Sequence, residues 1–269
     1  MIASALELYR YRYLLRMLTV RELTVRYRQT ILGAAWSVLL PLTMMAVFTF
    51  VFTKAVQIPS LNNLDVPYPL FALAGLVPWT FFAGSLNQCS NSLVANRNLV
   101  TKVYFPREVF PLSCVASLLV DFLIASAVAA GCAGYYALQG RFTPRIGLPC
   151  ITLPIILGIQ ILLTVGAGLL LSMANLFYRD VRQALQIGIQ LLMFVSAVVV
   201  PLPAMDTLWG RLLAWNPLVP LFSSYRDALL FGTWPSPAGL VYSAVVSVLI
   251  FLCGWAAFRR ASASFAERI

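Results

Sequence analysis

Few residues of this chain could do chemistry, and their types exclude most enzyme mechanisms. Histidine is absent from all 269 residues, which removes the usual general base at neutral pH and the commonest metal ligand. The five cysteines stand singly in apolar stretches and are predicted to be small buried hydrophobic residues; they are Cys89, Cys114, Cys132, Cys150 and Cys253. We therefore expect no catalytic residue and no metal site in this chain.

The charged residues suggest phosphate binding instead. Arg21, Arg26 and Arg28 lie just before the first long apolar stretch, and guanidinium groups form paired hydrogen bonds with phosphate oxygens. They are predicted either to receive a phosphate-bearing lipid or to anchor the chain on anionic headgroups. Asp121 is the single carboxylate inside an apolar stretch. It is expected to cap a helix, to contact a neighbouring helix or to lie at a wet interface, in preference to relaying protons.

These residues must be positioned by membrane helices. The chain is 61% apolar and only 10% charged, so it has too few polar side chains to cover a water-soluble core. We predict an all-α integral membrane protein with a six-span transmembrane domain over residues 31–258. The predicted spans are about 31–53, 68–90, 109–138, 148–174, 184–203 and 238–258.

The distribution of basic residues predicts the orientation. The net charge is +10, and 14 of the 19 Lys and Arg residues fall on one side if both termini are cytoplasmic, as the positive-inside rule requires. The tail 259–269 is then cytoplasmic. Nucleic acid is not expected as a partner, because the charge is not concentrated on a large wetted face.

Three segments are not simple spans. Residues 1–30 are predicted to form a bent or two-piece helix in the cytoplasmic interface. Residues 91–105 are predicted to contain a short helix, capped by Ser90 or Asn91, that is either a docking element for a partner protein or an ordered turn. Residues 204–232 hold two apolar pieces too short to cross, which predicts a re-entrant helix pair that gates the outer face. The alternative is an interfacial loop anchored by Trp209, Trp215 and Tyr225.

Four stretches that together cover much of the chain carry a family resemblance. They are RELTVRYRQTILGAAWSVLLPL (21–42), PYPLFALAGLVPWTFFAGSLNQCSNSLVANRNLVTKVYFPREVFPL (67–112), NLFYRDVRQ (175–183) and WNPLVPLFSSYRDALLFG (215–232). The chain resembles the membrane subunits of ABC exporters of bacterial cell-surface polysaccharides, above all the O-antigen export permeases. Teichoic-acid, capsule and small-molecule exporters are the alternatives within this class.

The resemblance implies a homodimer in the bacterial inner membrane, bound to two copies of a separate ATPase that holds the ATP and Mg. It implies a glycan on an undecaprenyl diphosphate carrier as substrate and Trp209, Trp215, Pro217 and Tyr225 in the outer gate. The implied contacts with the ATPase are Asn96, Arg97, Asn98, Leu99, Val100, Lys102, Tyr178, Arg179, Asp180 and Arg182. The chain itself has no cofactor site of the Gly-Lys phosphate-loop kind, because both of its lysines follow threonine.

A long glycan needs a continuous channel, which we expect between two subunits. Aromatic rings suit its lining because their faces stack on sugar C–H groups; the candidates are Trp36, Phe48, Phe52, Trp79, Phe82 and Phe194. A membrane transferase or phosphatase would need a catalytic constellation that the sequence lacks. A secondary transporter usually shows an internal repeat or intramembrane ion-binding groups, and Asp121 alone fits that class poorly.

Overall fold

The protein is described by a computed structural model that covers residues 10–28, 33–55, 66–102, 105–145, 147–178, 180–200, 210, 213, 215–262 and 265. All regular structure within those ranges is helical, which confirms the all-α part of the predicted fold class. In chain order the helices are α1 (Arg12–Tyr27), α2 (Trp36–Thr49), α3 (Tyr68–Ala95), α4 (Arg97–Lys102), α5 (Val109–Leu138), α6 (Leu153–Phe177), α7 (Val181–Val195), α8 (Leu218–Arg226) and α9 (Pro237–Ser262).

Four short irregular turns extend three of these helices. The 3₁₀ turns Gly33–Ala35 and Leu148–Thr152 precede α2 and α6. The wider π-helical turns Phe50–Ala55 and Asp227–Phe231 continue α2 and α8. These turns lengthen the apolar helices without breaking their hydrogen bonding, as backbone at membrane depth requires.

Five helices in the described part of the chain are long and apolar enough to cross a membrane. They are Trp36–Thr53, Tyr68–Ala95, Val109–Leu138, Leu148–Phe177 and Pro237–Ser262, and they coincide with five of the six predicted spans. The remaining predicted span, 184–203, overlaps α7, whose 15 residues reach about 22 Å at about 1.5 Å per residue. That length is short of the roughly 30 Å hydrocarbon core, so the six-span count stays a prediction.

Helix α3 forms the centre of the subunit. In its most apolar window 78% of the residues are buried, against 6% in the window Trp36–Thr53. Helices α5 and α6 pack on either side of α3, and α9 packs on α6. At that last contact a Cβ atom added to Gly254 would lie 2.4 Å from the carbonyl oxygen of Gly166. Two glycines therefore let the α6 and α9 backbones touch, as small residues do in membrane helix pairs.

The described part of the N-terminal segment holds α1, and a turn at Tyr11 separates α1 from the helical Arg10. Residues 1–9 lie outside the described residues, so the bent or two-piece helix over residues 1–30 stays a prediction. Leu18 is buried in the contact between α1 and α5, and Leu14 and Leu15 pack beside it. On another face, Tyr13 and Met17 are exposed. The three leucines thus form the apolar face that docks α1 on the subunit, while the face that carries Tyr13 and Met17 points outward.

The structure also moves the boundary of the short cytoplasmic helix. Helix α3 continues to Ala95, and α4 begins at Arg97, so the first residues of the predicted 91–105 segment belong to α3. Ser90 does not cap the start of the short helix as predicted, because it lies inside α3 and its hydroxyl donates to the carbonyl oxygen of Asn87 at 2.8 Å. Asn96 makes the turn between the two helices.

Candidate functional site

Helix α1 is held against the span α5 by a polar cluster around Arg26. One guanidinium nitrogen of Arg26 forms an ion pair with the carboxylate of Asp121. The other donates to the side-chain oxygen of Gln88 and, at 3.1 Å, to the hydroxyl of Ser117. The hydroxyl of Tyr27 donates to the second oxygen of Asp121. The sole carboxylate of the spans therefore contacts a neighbouring helix, as one of the predicted alternatives for Asp121 states.

This cluster borders a polar cleft of about 420 Å³ between α1, α3, α5 and α7. We call it the basic-end cleft; its polar lining residues are Glu22, Arg26, Asn87, Gln88, Asn91, Ser92, Asn96 and Arg182. Arg26 comes from the predicted phosphate-binding set, whereas Asn96 and Arg182 come from the predicted ATPase contacts. The structure thus brings members of both sets to the wall of one cleft.

A direct hydrogen bond joins the same two sets. The guanidinium of Arg21 donates to the side-chain oxygen of Asn96 at 3.0 Å. Asn96 is buried, and its amide nitrogen donates back to the carbonyl oxygen of Ser92 at 2.9 Å. Because Asn96 is the turn residue between α3 and α4, one side chain joins the start of α4 to Arg21.

The three predicted phosphate-binding arginines differ in their surroundings. Arg21 and Arg28 are exposed, whereas the side chain of Arg26 is 27% exposed and is engaged by Asp121. The guanidinium of Arg26 is therefore committed to holding α1 in place. A proposal of phosphate binding is better carried by Arg21 and Arg28.

The predicted ATPase contacts lie at one end of the subunit and are largely exposed. Arg97, Asn98, Asp180 and Arg182 are exposed, and so is Tyr178, at 72%. Leu99 packs against the core and fixes α4 to it. The side chains of Val100 and Lys102, and the whole of Arg179, lie outside the described residues.

Residues near the C-terminus link α4 and the 178–182 loop, the two predicted ATPase contacts. Sequence reasoning missed this link. Phe265 is buried, with its ring centre 6.1 Å from that of Phe177 and 5.1 Å from that of Phe258. The guanidinium of Arg107 lies 5.7 Å from the centre of the Phe265 ring and donates to the carbonyl oxygen of Ser262. Phe177 ends α6 just before the 178–182 loop, and Arg107 follows α4, so the tail ties both elements together.

The predicted channel aromatics divide into two groups. Trp79 and Phe82 are buried inside the subunit, and the Trp79 ring packs edge-on against Phe222 at 6.2 Å. Trp36 and Phe194 are 53% and 58% exposed. The rings of Phe48 and Phe52 stack at 5.8 Å on the least buried span, where both are half-buried. A lining role is therefore open to these last four rings, and Trp79 and Phe82 serve packing.

At the opposite end, the described part of the predicted outer gate is helix α8 with its π-helical continuation. Tyr225 is buried and donates to the side-chain oxygen of Gln160 at 2.7 Å, and the Gln160 amide donates to the carbonyl oxygen of Pro78 at 2.7 Å. Pro217 precedes the first residue of α8, and Trp215 is 78% exposed. Trp209 lies outside the described residues, and the re-entrant pair stays a prediction.

Arg226, the last residue of α8, is the main buried charge that sequence reasoning missed. It is only 4% exposed, and it donates to the carbonyl oxygens of Ala197 (2.9 Å), Val198 and Phe71 (3.4 Å). Its guanidinium lies 4.0 Å from the centre of the Phe71 ring. The sequence gives no clear signal for its burial, because Ser223, Ser224 and Asp227 stand beside it and make the segment resemble a polar loop.

Neither the cysteines nor the acidic residues assemble a metal site. All five thiols are free; Cys89 and Cys114 are buried as predicted, but Cys253 is exposed on α9. Within the described ranges there is no group of three or more His, Cys, Asp or Glu side chains that could hold a metal ion.

Comparison with known proteins decides the family. The model of the family described as ABC-2 type transporter matches residues 13–230. The chain belongs to this family. The match runs from α1 to the π-helical end of α8, so it includes the basic-end cleft, the predicted ATPase contacts and Arg226. The polar residues described above thus lie in the part of the permease that matches the family model.

Named relatives of this ABC-2 permease match it over most of its length. The "O-antigen export system permease protein RfbA" of Myxococcus xanthus is 30% identical over 100% of both chains. A Klebsiella pneumoniae protein of the same name is 31% identical over 82% of this chain and 81% of its own. The "Polysialic acid transport protein KpsM" of Escherichia coli is 25% identical over 90% of this chain and 91% of its own.

Proposed function

We propose that this permease is the channel-forming subunit of an exporter that moves an undecaprenyl-diphosphate-linked polysaccharide of O-antigen type out of the cytoplasm. ATP hydrolysis in a separate ATPase subunit drives the movement. The names of the relatives, which refer to O-antigen export and to polysialic acid transport, support a polysaccharide substrate. The inner membrane, with both termini in the cytoplasm, is the proposed location.

The observation that carries the proposal is the hydrogen bond from Arg21 to Asn96, a residue that lines the basic-end cleft. A diphosphate needs several strong donors, and the exposed guanidinium groups of Arg21 and Arg28 supply them. An ATPase must move part of the permease to drive transport. We call α4, the short helix attached to α3 through Asn96, the proposed lever. The hydrogen bond between Arg21 and Asn96 thus connects the proposed headgroup site directly to the proposed lever.

The proposed force path starts at the exposed residues of α4 and the 178–182 loop. Closure of two ATPase subunits around ATP would push on both elements at once, because Phe265 packs between their attachment points. Movement of Asn96 would then shift Arg21, and with it the bound headgroup. Nucleotide-dependent contacts that bias a two-state element act in this way.

The proposed channel lies between two copies of the chain. The span Trp36–Thr53 is hardly buried inside the subunit, and Trp36, Phe48 and Phe52 lie on it. Together with Phe194 on α7 they would line the path, since aromatic faces contact sugar rings while making few strong polar bonds. The glycan could then slide without being held.

The test is transport in proteoliposomes that contain the full-length permease and its ATPase partner, with a lipid-linked glycan as cargo. The proposal expects glycan translocation only when ATP is hydrolysed. The double variant Arg21→Gln/Arg28→Gln is expected to lower the initial rate at least tenfold, while the complex still assembles. The matched control is Arg16→Gln, an exposed arginine on α1, which should transport as the wild type does.

Two results would overturn the proposal. Transport by the permease alone, without any ATPase, would make it a secondary transporter or channel. Unchanged transport and ATP hydrolysis in the double variant would remove the headgroup site from α1.

Capsular polysaccharide export is the second candidate, because relatives named for polysialic acid transport match 90% of the chain. Genetic complementation separates the two. Restoration of surface O-antigen, but not of capsule, in strains that lack the respective permease supports the first candidate.

A further inference from the structure

An apolar cavity of about 540 Å³ lies between α3, α5, α6 and α8, toward the end of the subunit opposite the basic-end cleft. Its inner wall includes the buried side chains of Leu70, Val77 and Phe122. It is several times larger than the roughly 150 Å³ apolar cavity that holds a benzene molecule. An empty space of this size would forfeit many dispersion contacts, so a hydrocarbon occupant is favoured over a void.

The cavity opens sideways at membrane depth. Leu123 and Gly134 on α5 and Pro154 on α6 line it and are exposed, so its mouth faces the hydrocarbon region. Along α5 it extends from Phe122 to Gly134, which is about 18 Å at about 1.5 Å per residue. One leaflet of the roughly 30 Å hydrocarbon core is about 15 Å deep. The length of the cavity thus matches that of one acyl chain in one leaflet.

Two arginines stand where the headgroup of such a lipid would lie. Helix α5 ends at Leu138 and is followed by Gly140, whose φ is 69°, and the Arg141 amide donates back to the carbonyl oxygen of Tyr136 at 3.1 Å. This is the hydrogen-bond pattern of a glycine-terminated helix. The next residues, Phe142 and Pro144, line the cavity, while Arg141 and Arg145 are exposed beside them.

We propose that this cavity binds one acyl chain of an anionic phospholipid of the bilayer, with the lipid phosphate next to Arg141 and Arg145. Within the 141–145 loop, Phe142 and Pro144 close the wall of the cavity, and the arginines at either end of the loop flank its opening. Charged donors beside an apolar slot are the features that a headgroup and its chain require together. The cavity shares no lining residue with the basic-end cleft, where the proposed path of the glycan starts, but Tyr225 of the predicted outer gate lines it.

The test is native mass spectrometry of the full-length chain, purified in detergent and titrated with phosphatidylglycerol or with phosphatidylcholine of the same acyl composition. We expect one phosphatidylglycerol per chain, bound at least tenfold more tightly than phosphatidylcholine. Ala133→Trp fills the cavity and should lower the affinity for both lipids at least tenfold. The control Ala127→Trp, on the exposed face of the same helix and outside the cavity, should bind as the wild type does.

A second variant tests the headgroup. Arg141→Gln/Arg145→Gln should bind phosphatidylglycerol only as well as phosphatidylcholine. The proposal is overturned if Ala133→Trp retains the lipid, if the double glutamine variant keeps the preference, or if the retained mass is that of a polyisoprenyl phosphate. Should Ala133→Trp fail to fold, Ala129→Leu, a smaller filling of the same cavity, replaces it with the same expected direction.

Discussion

Two arginines near opposite ends of the subunit, Arg26 and Arg226, are shielded from solvent by different kinds of hydrogen-bond acceptor. Arg26 shares its charge with the carboxylate of Asp121 and borders the polar basic-end cleft. Arg226 is enclosed, and its acceptors among the described residues are the carbonyl oxygens of Phe71, Ala197 and Val198. An ion pair at the edge of a cleft can separate and recombine, because water can replace either partner. A guanidinium that satisfies three buried carbonyls has no such replacement.

The difference suggests a division of labour within the permease. The end that carries the proposed headgroup site and lever is joined by side-chain pairs that can exchange partners. The opposite end is joined by one arginine that ties α8 and the end of α7 to the central helix α3. We expect substitutions at Arg226 to affect folding first, and substitutions around Arg26 and Arg21 to affect transport first.

The largest effect is expected for Arg226→Met. The substitution leaves three buried carbonyl groups without their donor, which costs on the order of 3–5 kcal/mol. The yield of monodisperse protein and the thermal unfolding midpoint in detergent should both fall sharply. Arg226→Lys should not restore them, because one ammonium lacks the planar set of donors. Arg16→Met, at an exposed position, is the control; equal losses in both variants would remove the distinction.

Gly75→Ala tests the same contact without removing the charge. An added Cβ atom would lie 2.3 Å from the carbonyl oxygen of Val198 and 2.4 Å from a guanidinium nitrogen of Arg226. Forcing these groups apart is expected to cost about 1–3 kcal/mol, seen as a lower unfolding midpoint. Gly131→Ala is the matched control, since nothing lies within 4 Å of its added Cβ atom. That variant should be unchanged or stabilised by up to about 1 kcal/mol.

A double-mutant cycle of Arg26→Gln and Asp121→Asn measures the exchangeable pair. We expect a coupling free energy of about 1–2 kcal/mol, within the range for contacting polar residues. The permease should still fold in both single variants and in the double variant. A coupling free energy near zero in thermal unfolding would show that the pair does not hold α1 to α5.

The smallest effect on stability is expected for Arg21→Gln. The Arg21 side chain is exposed, but its hydrogen bond to the buried Asn96 is part-buried, so its loss should change the free energy of unfolding by about 0.5–1 kcal/mol. The same variant should slow ATP-driven transport at least fivefold. If stability fell as much as in Gly75→Ala, Arg21 would be a structural residue and the contrast between the two ends would fail.

The sequence predicted the elements better than the contacts between them. Uncharged stretch length predicted five of the spans, because the bilayer thickness sets that length. Contact with a neighbouring helix was one of three alternatives predicted for Asp121, since a carboxylate inside a span needs a partner. The start of α4 was predicted too early, because Ser90, which can cap a helix, bonds within α3 instead.

Arg226 and Phe265 could not have been assigned from sequence patterns. Counting basic residues by segment places Arg226 in an outer loop, and its burial depends on residues 71, 197 and 198, which are distant along the chain. Phe265 stands among polar residues near the C-terminus, and only the meeting of α5, α6 and α9 encloses it. In both cases the decisive contacts are long-range.

The most direct test of the central claim is a double-mutant cycle on transport with Arg21→Gln and Asn96→Ala, in proteoliposomes that contain the permease and its ATPase. The claim is that the proposed lever and the headgroup site are linked through the hydrogen bond between these two residues. We predict that each single variant slows ATP-driven glycan translocation by a similar factor and that the double variant is no slower than either. Independent effects that multiply in the double variant, or wild-type rates in both single variants, would contradict the account.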